Sequence, residues 1–347
     1  MKNKKMIVMI IGGIFVALIV IGFVFYQQGI SAVSSKDDEV IVNIKSGSTA
    51  TQMLNTLDEA GLVKNKLCGK IFLKIHHFDK LQANAYVFNK DMSLSQIFSI
   101  IENPDFQYIL KSQLTIKEGN TIPEVAKSFA EALNISSDEV VEQWKQQDYL
   151  SKLIDEYWFI DDSIMNTDIL YPLEGYLYPE TYYVTEQNPT VESLTKLALD
   201  MMDEKLKGYQ DDIDKLGWTP HQFLTFASIV ERESLFDEDR PKIAGVFMNR
   251  LNAHMLLQSD ITVNYAWQRT GVDVSIDHLQ IDSKYNTYKY TGLPVGPIST
   301  ISEATLDACA HYEKSDYLFF FAKEDGTVLY SKTYEEHQQI VKENKWY

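Results

Sequence analysis

Cysteine is nearly absent: Cys68 and Cys309 are the only two in 347 residues. So few and so far apart, they argue against a disulfide framework, and no Cys/His cluster offers a metal site. Gly-x-Ser-x-Gly, His-Glu-x-x-His and the glycine-rich phosphate loop are all missing, so serine hydrolases, zinc proteases and nucleotide-dependent enzymes have little support. No cofactor is expected. Positive charge is also short, with 32 Lys and Arg against 49 Asp and Glu and a net charge of −17. That balance repels phosphate backbones, and no nucleic-acid partner is expected.

One long apolar run is present. Met6 to Tyr26 carries no charge and follows Lys2, Lys4 and Lys5. As a helix it spans roughly 30 Å, and the flanking lysines place the N-terminus in the cytoplasm. A cleaved signal peptide is the competing reading; the run is longer than usual for one, and no small-x-small site follows. The expected layout is a cytoplasmic tail (1–5), a transmembrane helix (6–26) and a linker (27–39), with the remainder outside the cytoplasm. Without the three lysines that remainder carries 29 − 49 = −20.

Beyond the linker, Val40 to Thr49 alternates as a strand and enters a Gly turn and a helix bearing Met53, Leu54, Leu57 and Leu62. The pattern returns 72 residues later: Ile44-Lys45-x-Gly47-x-Thr49 matches Ile116-Lys117-x-Gly119-x-Thr121. Strand, Gly-x-Thr turn and helix resemble the small LysM glycan-binding module, and an ordinary βα turn fits equally well. Residues 40–110 are read as the LysM-like domain, 111–165 as a second βα repeat with a helical connection, and 166–347 as the catalytic domain. The fold class is α+β, the last part being mixed α/β, to which the family resemblance given below adds the expectation of a lysozyme-like active-site helix. An Asp325-Gly326 turn between apolar runs predicts a hairpin.

The chain's strongest helix signal begins at Thr219, with Pro220 at the first helical position and Gln222 completing a capping box. Phe223, Phe226, Ala227, Ile229 and Val230 then recur at helical spacing. Glu233 falls where that stripe next surfaces. At about 3.6 residues per turn, Glu231 points roughly 200° away from it. A carboxyl among apolar neighbours keeps its proton, as a general acid requires; a solvated helix end is the plainer reading of the same residues.

Several motifs occur in one order: Glu174-Gly-Tyr176-Leu-Tyr-Pro-Glu180, Ala227-Ser-Ile-Val-Glu-Arg-Glu-Ser234, Val246-Phe-Met-Asn-Arg-Leu251, Leu257-Gln-Ser-Asp260, Tyr285-Asn-Thr-Tyr288 and Gly292-Leu-Pro-x-Gly-Pro-Ile298. Together they resemble the MltG (YceG-like) family of endolytic murein transglycosylases across nearly the whole chain. One departure is Ala85, where the family more often has Gly before Tyr. The resemblance implies cleavage of the β-1,4 bond between N-acetylmuramic acid and N-acetylglucosamine within glycan strands, leaving a 1,6-anhydro end and terminating nascent strands. It places the catalytic acid on Glu233, a supporting role on Glu231, and substrate contacts on Glu174, Tyr176, Gln258, Asp260, Asn286 and Tyr288. Implied partners are peptidoglycan glycan strands and the membrane, with peptidoglycan synthases and division or elongation proteins as neighbours. Two other readings are a tethered glycan-binding scaffold without chemistry, and a peptidoglycan hydrolase using Asp260 or Glu174 as second carboxylate.

Overall fold

The structure, a computed structural model, describes residues 2–36, 38–45, 47–78, 80–104, 106–110, 112–184, 188–269 and 277–344, with backbone alone for 2–11, 106 and 112. Two compact units make up the chain: Met1–Ser112 with Tyr183–Asn188, and Gln113–Tyr182 with Pro189–Tyr347.

The first unit opens with α1 (Lys2–Gly29), whose Gly12–Gly29 stretch is long and apolar enough to cross a membrane. The side chains of Lys2, Lys4 and Lys5 lie outside the described residues. There follow β1 (Glu39–Asn43), α2 (Ala50–Glu59), α3 (Lys66–Ile75), β2 (Ala85–Asn89) and α4 (Leu94–Glu102). β1 and β2 pair antiparallel, Ile41 opposite Val87, although two helices separate them in sequence. Leu54, Leu57, Phe72, Tyr86, Phe88, Ile97 and Phe98 form the core, with Tyr26 and Ile30 at the foot of α1 packed against it. The backbone approaches closely there, since a Cβ on Gly29 would lie 2.3 Å from Cys68 Sγ. Both Gly-x-Thr turns have the expected geometry: Gly47 and Gly119 take φ of +79° and +68°, which favours glycine.

Next in the chain come β3 (Ser112–Thr115), α5 (Ile122–Leu133), α6 (Ser137–Trp144), α7 (Gln147–Glu156), β4 (Thr181–Val184), α8 (Val191–Lys207) and α9 (Gln210–Leu216). Then come α10 (Pro220–Glu233), α11 (Arg240–Asn252), α12 (Asp260–Ala266), α13 (Glu303–Ala310), β5 (Phe319–Ala322), β6 (Val328–Ser331) and α14 (Tyr334–Asn344). Among the described residues the strands of this part form two-stranded pairs, β3 with β4 and β5 with β6, so it is mixed α/β with helices predominating. The expected hairpin is present, with Gly326 at φ +85° and Phe319 opposite Ser331.

Residues 113–165 group with the later helices in the second unit. Hydrogen bonds explain this: Thr300 N–H donates to Asn120 O (2.8 Å), Thr300 Oγ1 to Lys117 O (2.7 Å) and Arg232 Nη1 to Gly119 O (2.6 Å). The second Gly-x-Thr turn is therefore part of the scaffold around α10.

Candidate active site

α10 starts as its sequence dictates. Gln222 N–H donates to the Thr219 hydroxyl, and the Gln222 side chain accepts from Thr219 N–H at 2.9 Å. The expected single apolar stripe is too narrow a description, because every residue from Phe223 to Glu231 is buried. Helices α11, α12 and α13 all pack against α10, and its polar members find partners in place. Ser228 Oγ donates to Thr225 O (2.8 Å) and accepts from Ile298 N–H (3.0 Å). A helix buried on all sides must satisfy such groups internally.

The helix ends at a cleft of about 440 Å³ lined by Glu233, Arg250, Gln258, Asp260 and Tyr288, with apolar and aromatic side chains from α11, β5 and α14. Ser259 Oγ donates to Glu233 Oε1 at 2.5 Å. Burial, helped by the Asp260 charge, outweighs the downward pull of the Ser259 hydrogen bond and Arg250 and pushes the Glu233 carboxyl up to about 7. The group can thus hold a proton near neutral pH and give it up, which suits a general acid that later acts as base.

The loop bearing Gln258 and Asp260 is pinned from behind. Gln258 adopts φ +50° and donates its N–H to Thr287 O (3.2 Å), and Ser259 N–H donates to Thr287 Oγ1 (3.0 Å). Tyr288 Oη donates to Asp260 Oδ1 at 2.5 Å. Three residues expected near glycan are thereby brought together with Glu233.

The other predicted residues lie outside this cleft. Glu174 is 1% exposed; its carboxylate accepts from Ile122 N–H at 3.0 and 3.1 Å and from Tyr265 Oη at 3.0 Å. Burial pushes this carboxyl up to about 8 despite those donors. Tyr176, fully buried, reaches His221 Nδ1 at 2.7 Å, while His221 Nε2 donates to Val295 O at 2.9 Å. Asn286, also fully buried, donates to Leu279 O and Ile281 O, both at 2.9 Å. Each ties segments together because its polar atoms are saturated by protein. Between Glu174 and Tyr176, Gly175 has φ +78°, and a Cβ there would meet Pro297 Cβ at 2.4 Å. The Gly/Pro loop is thus clamped against the Glu174 motif and α10.

Glu231 faces away from the cleft, as the helical angle requires. It accepts from Ser302 N–H (3.0 Å), Ser302 Oγ (2.7 Å) and Thr305 Oγ1 (2.6 Å), and Arg240 Nη2 lies 3.3 Å away. This joins α10 to the N-terminus of α13 and to α11.

The profile of the YceG-like family matches residues 42–343. The chain belongs to the YceG-like family. It is 33% identical over 325 residues to the endolytic murein transglycosylase of Bacillus subtilis, covering 93% of this chain and 90% of that protein. The endolytic murein transglycosylase of Streptococcus pneumoniae serotype 2 is also 33% identical, over 95% of this chain but only 64% of the longer relative. A solved YceG-like protein of Listeria monocytogenes superposes with a TM-score of 0.64 at 31% identity, covering 88% of this chain and 100% of that one.

In this YceG-like chain two residues at or behind the cleft wall escape a reading by motif alone. Ser259 sits between Gln258 and Asp260, yet it supplies the hydroxyl on Glu233. Arg250, within the Val246–Leu251 motif, donates through Nε to Leu318 O and through Nη1 to Leu257 O, both at 2.6 Å, joining β5 to the Gln258 loop. The signal for both was motif membership; pattern alone assigned them no role, because a serine or arginine acquires its partner only on folding.

Proposed function

We infer that this chain is an endolytic murein transglycosylase in which Glu233 is the catalytic acid and base. The observation that carries the assignment is a carboxyl at the inner end of a buried helix, opening on a cleft and pushed up to about 7. Its proton passes to the glycosidic oxygen as the bond from muramoyl C1 breaks. The carboxylate then accepts the proton of the muramoyl C6 hydroxyl as O6 bonds to C1, which restores the acid and leaves a 1,6-anhydro end. No water enters the products, so one carboxyl suffices where a hydrolase uses two. Ser259 orients the carboxyl, Gln258, Asp260 and Tyr288 contact the glycan, and Glu231 holds the end of α10 in register.

α10 corresponds on this reading to a lysozyme-like active-site helix. The β1-α2-α3-β2 order supports residues 40–110 as a LysM-like glycan-binding module. α1 is a single-pass anchor with its N-terminus in the cytoplasm, which sets the cleft beside nascent strands near synthases and division or elongation proteins.

Mass spectrometry of peptidoglycan incubated with the full chain or its Glu233→Gln variant tests the assignment. Anhydro products, lighter than hydrolysed ones by one water and made only by the unsubstituted protein, are expected. Hydrated products would replace the reading with a hydrolase using Asp260. Intact glycan that retains the protein would leave a binding scaffold.

A further inference from the structure

The cleft at Glu233 has two unlike linings. Glu233, Gln258, Asp260 and Tyr288 make one of them polar, while the other comes from the C-terminal β5 and α14 and presents Phe319, Phe321, Tyr334 and His337. α14 contributes no buried residue, so the core does not require its side chains. Yet its two rings are gathered on one neighbour. His337 stacks on Phe319 with centroids 5.3 Å apart and planes at 23°, and Tyr334 lies 5.9 Å from the same ring. On Phe319, too, sits the Arg250 guanidinium, 5.0 Å from the ring centroid.

Two further features ask for a ligand. Tyr334 is 56% exposed although its ring borders the cleft. His337 Nδ1 is buried and has no hydrogen-bond partner among the described residues. An orphaned buried nitrogen is destabilising, and a polar group entering beside it relieves that cost. Burial and the Arg250 charge hold the imidazole below its usual range, so it offers an uncharged ring. A pyranose has a C–H face that stacks on such rings and a polar rim that needs hydrogen bonds, and a cleft with one aromatic and one polar lining meets both demands.

We propose that Tyr334 and His337 of α14, with Phe319 of β5, form a saccharide-stacking subsite that positions an N-acetylated sugar of the glycan strand against Glu233. The proposal rests on the transglycosylase reading for its substrate and goes beyond it in giving the C-terminal helix a binding role. Tyr334 stacks through its ring; His337 adds a ring face and a nitrogen that accepts from, or donates to, a sugar hydroxyl or N-acetyl group.

The test measures cleavage of purified glycan strands by the detergent-solubilised full chain carrying Tyr334→Ala, Tyr334→Phe, His337→Ala or His337→Gln. In parallel, calorimetry follows binding of a peptidoglycan tetrasaccharide to the same variants in a Glu233→Gln background. Tyr334→Ala and His337→Ala should each raise KM and weaken tetrasaccharide binding by about three- to tenfold, with kcat affected far less. Tyr334→Phe should restore the ring and the affinity, and His337→Gln should restore part of it; neither rescue is expected of a merely structural role. Unchanged KM and binding in both alanine variants, beside normal cleavage by the unsubstituted chain, would overturn the subsite. Loss through kcat alone would overturn it equally. Absence of cleavage with binding that still depends on Tyr334 would overturn the transglycosylase reading and leave the subsite standing, whereas neither cleavage nor binding would overturn both.

Discussion

Glu231 accepts hydrogen bonds from Ser302 and Thr305 and faces Arg240, whereas Glu233, one half-turn on, is bonded by Ser259 and opens on the cleft. Composition is the same at both ends of the comparison: two glutamates, one helix, adjacent turns. What differs is how the loss of water is offset. Donors and a guanidinium take the place of solvent around Glu231, and a buried charge so compensated becomes a structural joint. Glu233 has less of that compensation and a second carboxylate, Asp260, nearby, so burial favours its protonated form. On the proposed reading, the catalytic acid is a carboxyl whose desolvation has been left partly unrelieved.

The comparison breaks most clearly at Glu233 itself. Glu233→Gln should lower the rate of glycan cleavage by about a thousandfold or more with circular dichroism and melting temperature near those of the unsubstituted protein; a variant that cleaves normally would remove Glu233 from the mechanism. Glu174 extends the contrast to a carboxyl that is buried, bonded and outside the cleft. Its folded value, pushed up to about 8, lies above the unfolded one of 4.5. The stability it contributes is therefore fully present below pH 4.5 and is lost as pH rises through 8, on the order of several kcal/mol. Urea titrations across that window should show the loss in the unsubstituted protein and a flatter profile in Glu174→Gln. Equal slopes would mean that Ile122 and Tyr265 fully compensate the charge.

Smaller effects refine the Glu231 side. Glu231→Ala should cost about 1–3 kcal/mol in urea unfolding because Ser302 and Thr305 lose their acceptor and Arg240 keeps only its ion pair with Asp237, while the folded fraction keeps at least partial activity. A dead but fully stable Glu231 variant would reverse the assignment of the two glutamates. Least of all, Ser259→Ala should slow cleavage several-fold, in keeping with one lost hydrogen bond of about 1 kcal/mol. Since the Ser259 bond lowers the Glu233 value, removing it should also move the alkaline limb of kcat/KM to higher pH.

Much of the local architecture follows from short-range chemistry. Thr219, Pro220 and Gln222 start α10, Asp325-Gly326 closes the hairpin, and Gly47 and Gly119 turn where the repeat places them. The angle separating Glu231 from Glu233 is equally local, since it depends only on helical pitch. The site was less complete in the pattern. Gln258, Asp260 and Tyr288 reach the cleft, whereas Glu174, Tyr176 and Asn286 are consumed in clamping its supports. Both sets occupy similar polar and aromatic motifs, and nothing in residue type separates a side chain that lines a cleft from one that meets a backbone amide.

Sequence by itself, then, determined the apolar N-terminal helix, the caps and turns, the family and the glutamate at the end of α10, because each depends on neighbours within a few residues or on motif order. Only the tertiary structure decided that α10 is buried on all sides, that the second βα segment belongs to its scaffold, that Ser259 holds Glu233, and that a polar C-terminal helix lines the cleft. These rest on contacts between residues 26 to 183 positions apart. Such contacts follow from how helices and loops fill space together, a long-range balance of burial and hydrogen-bond satisfaction that no local pattern encodes.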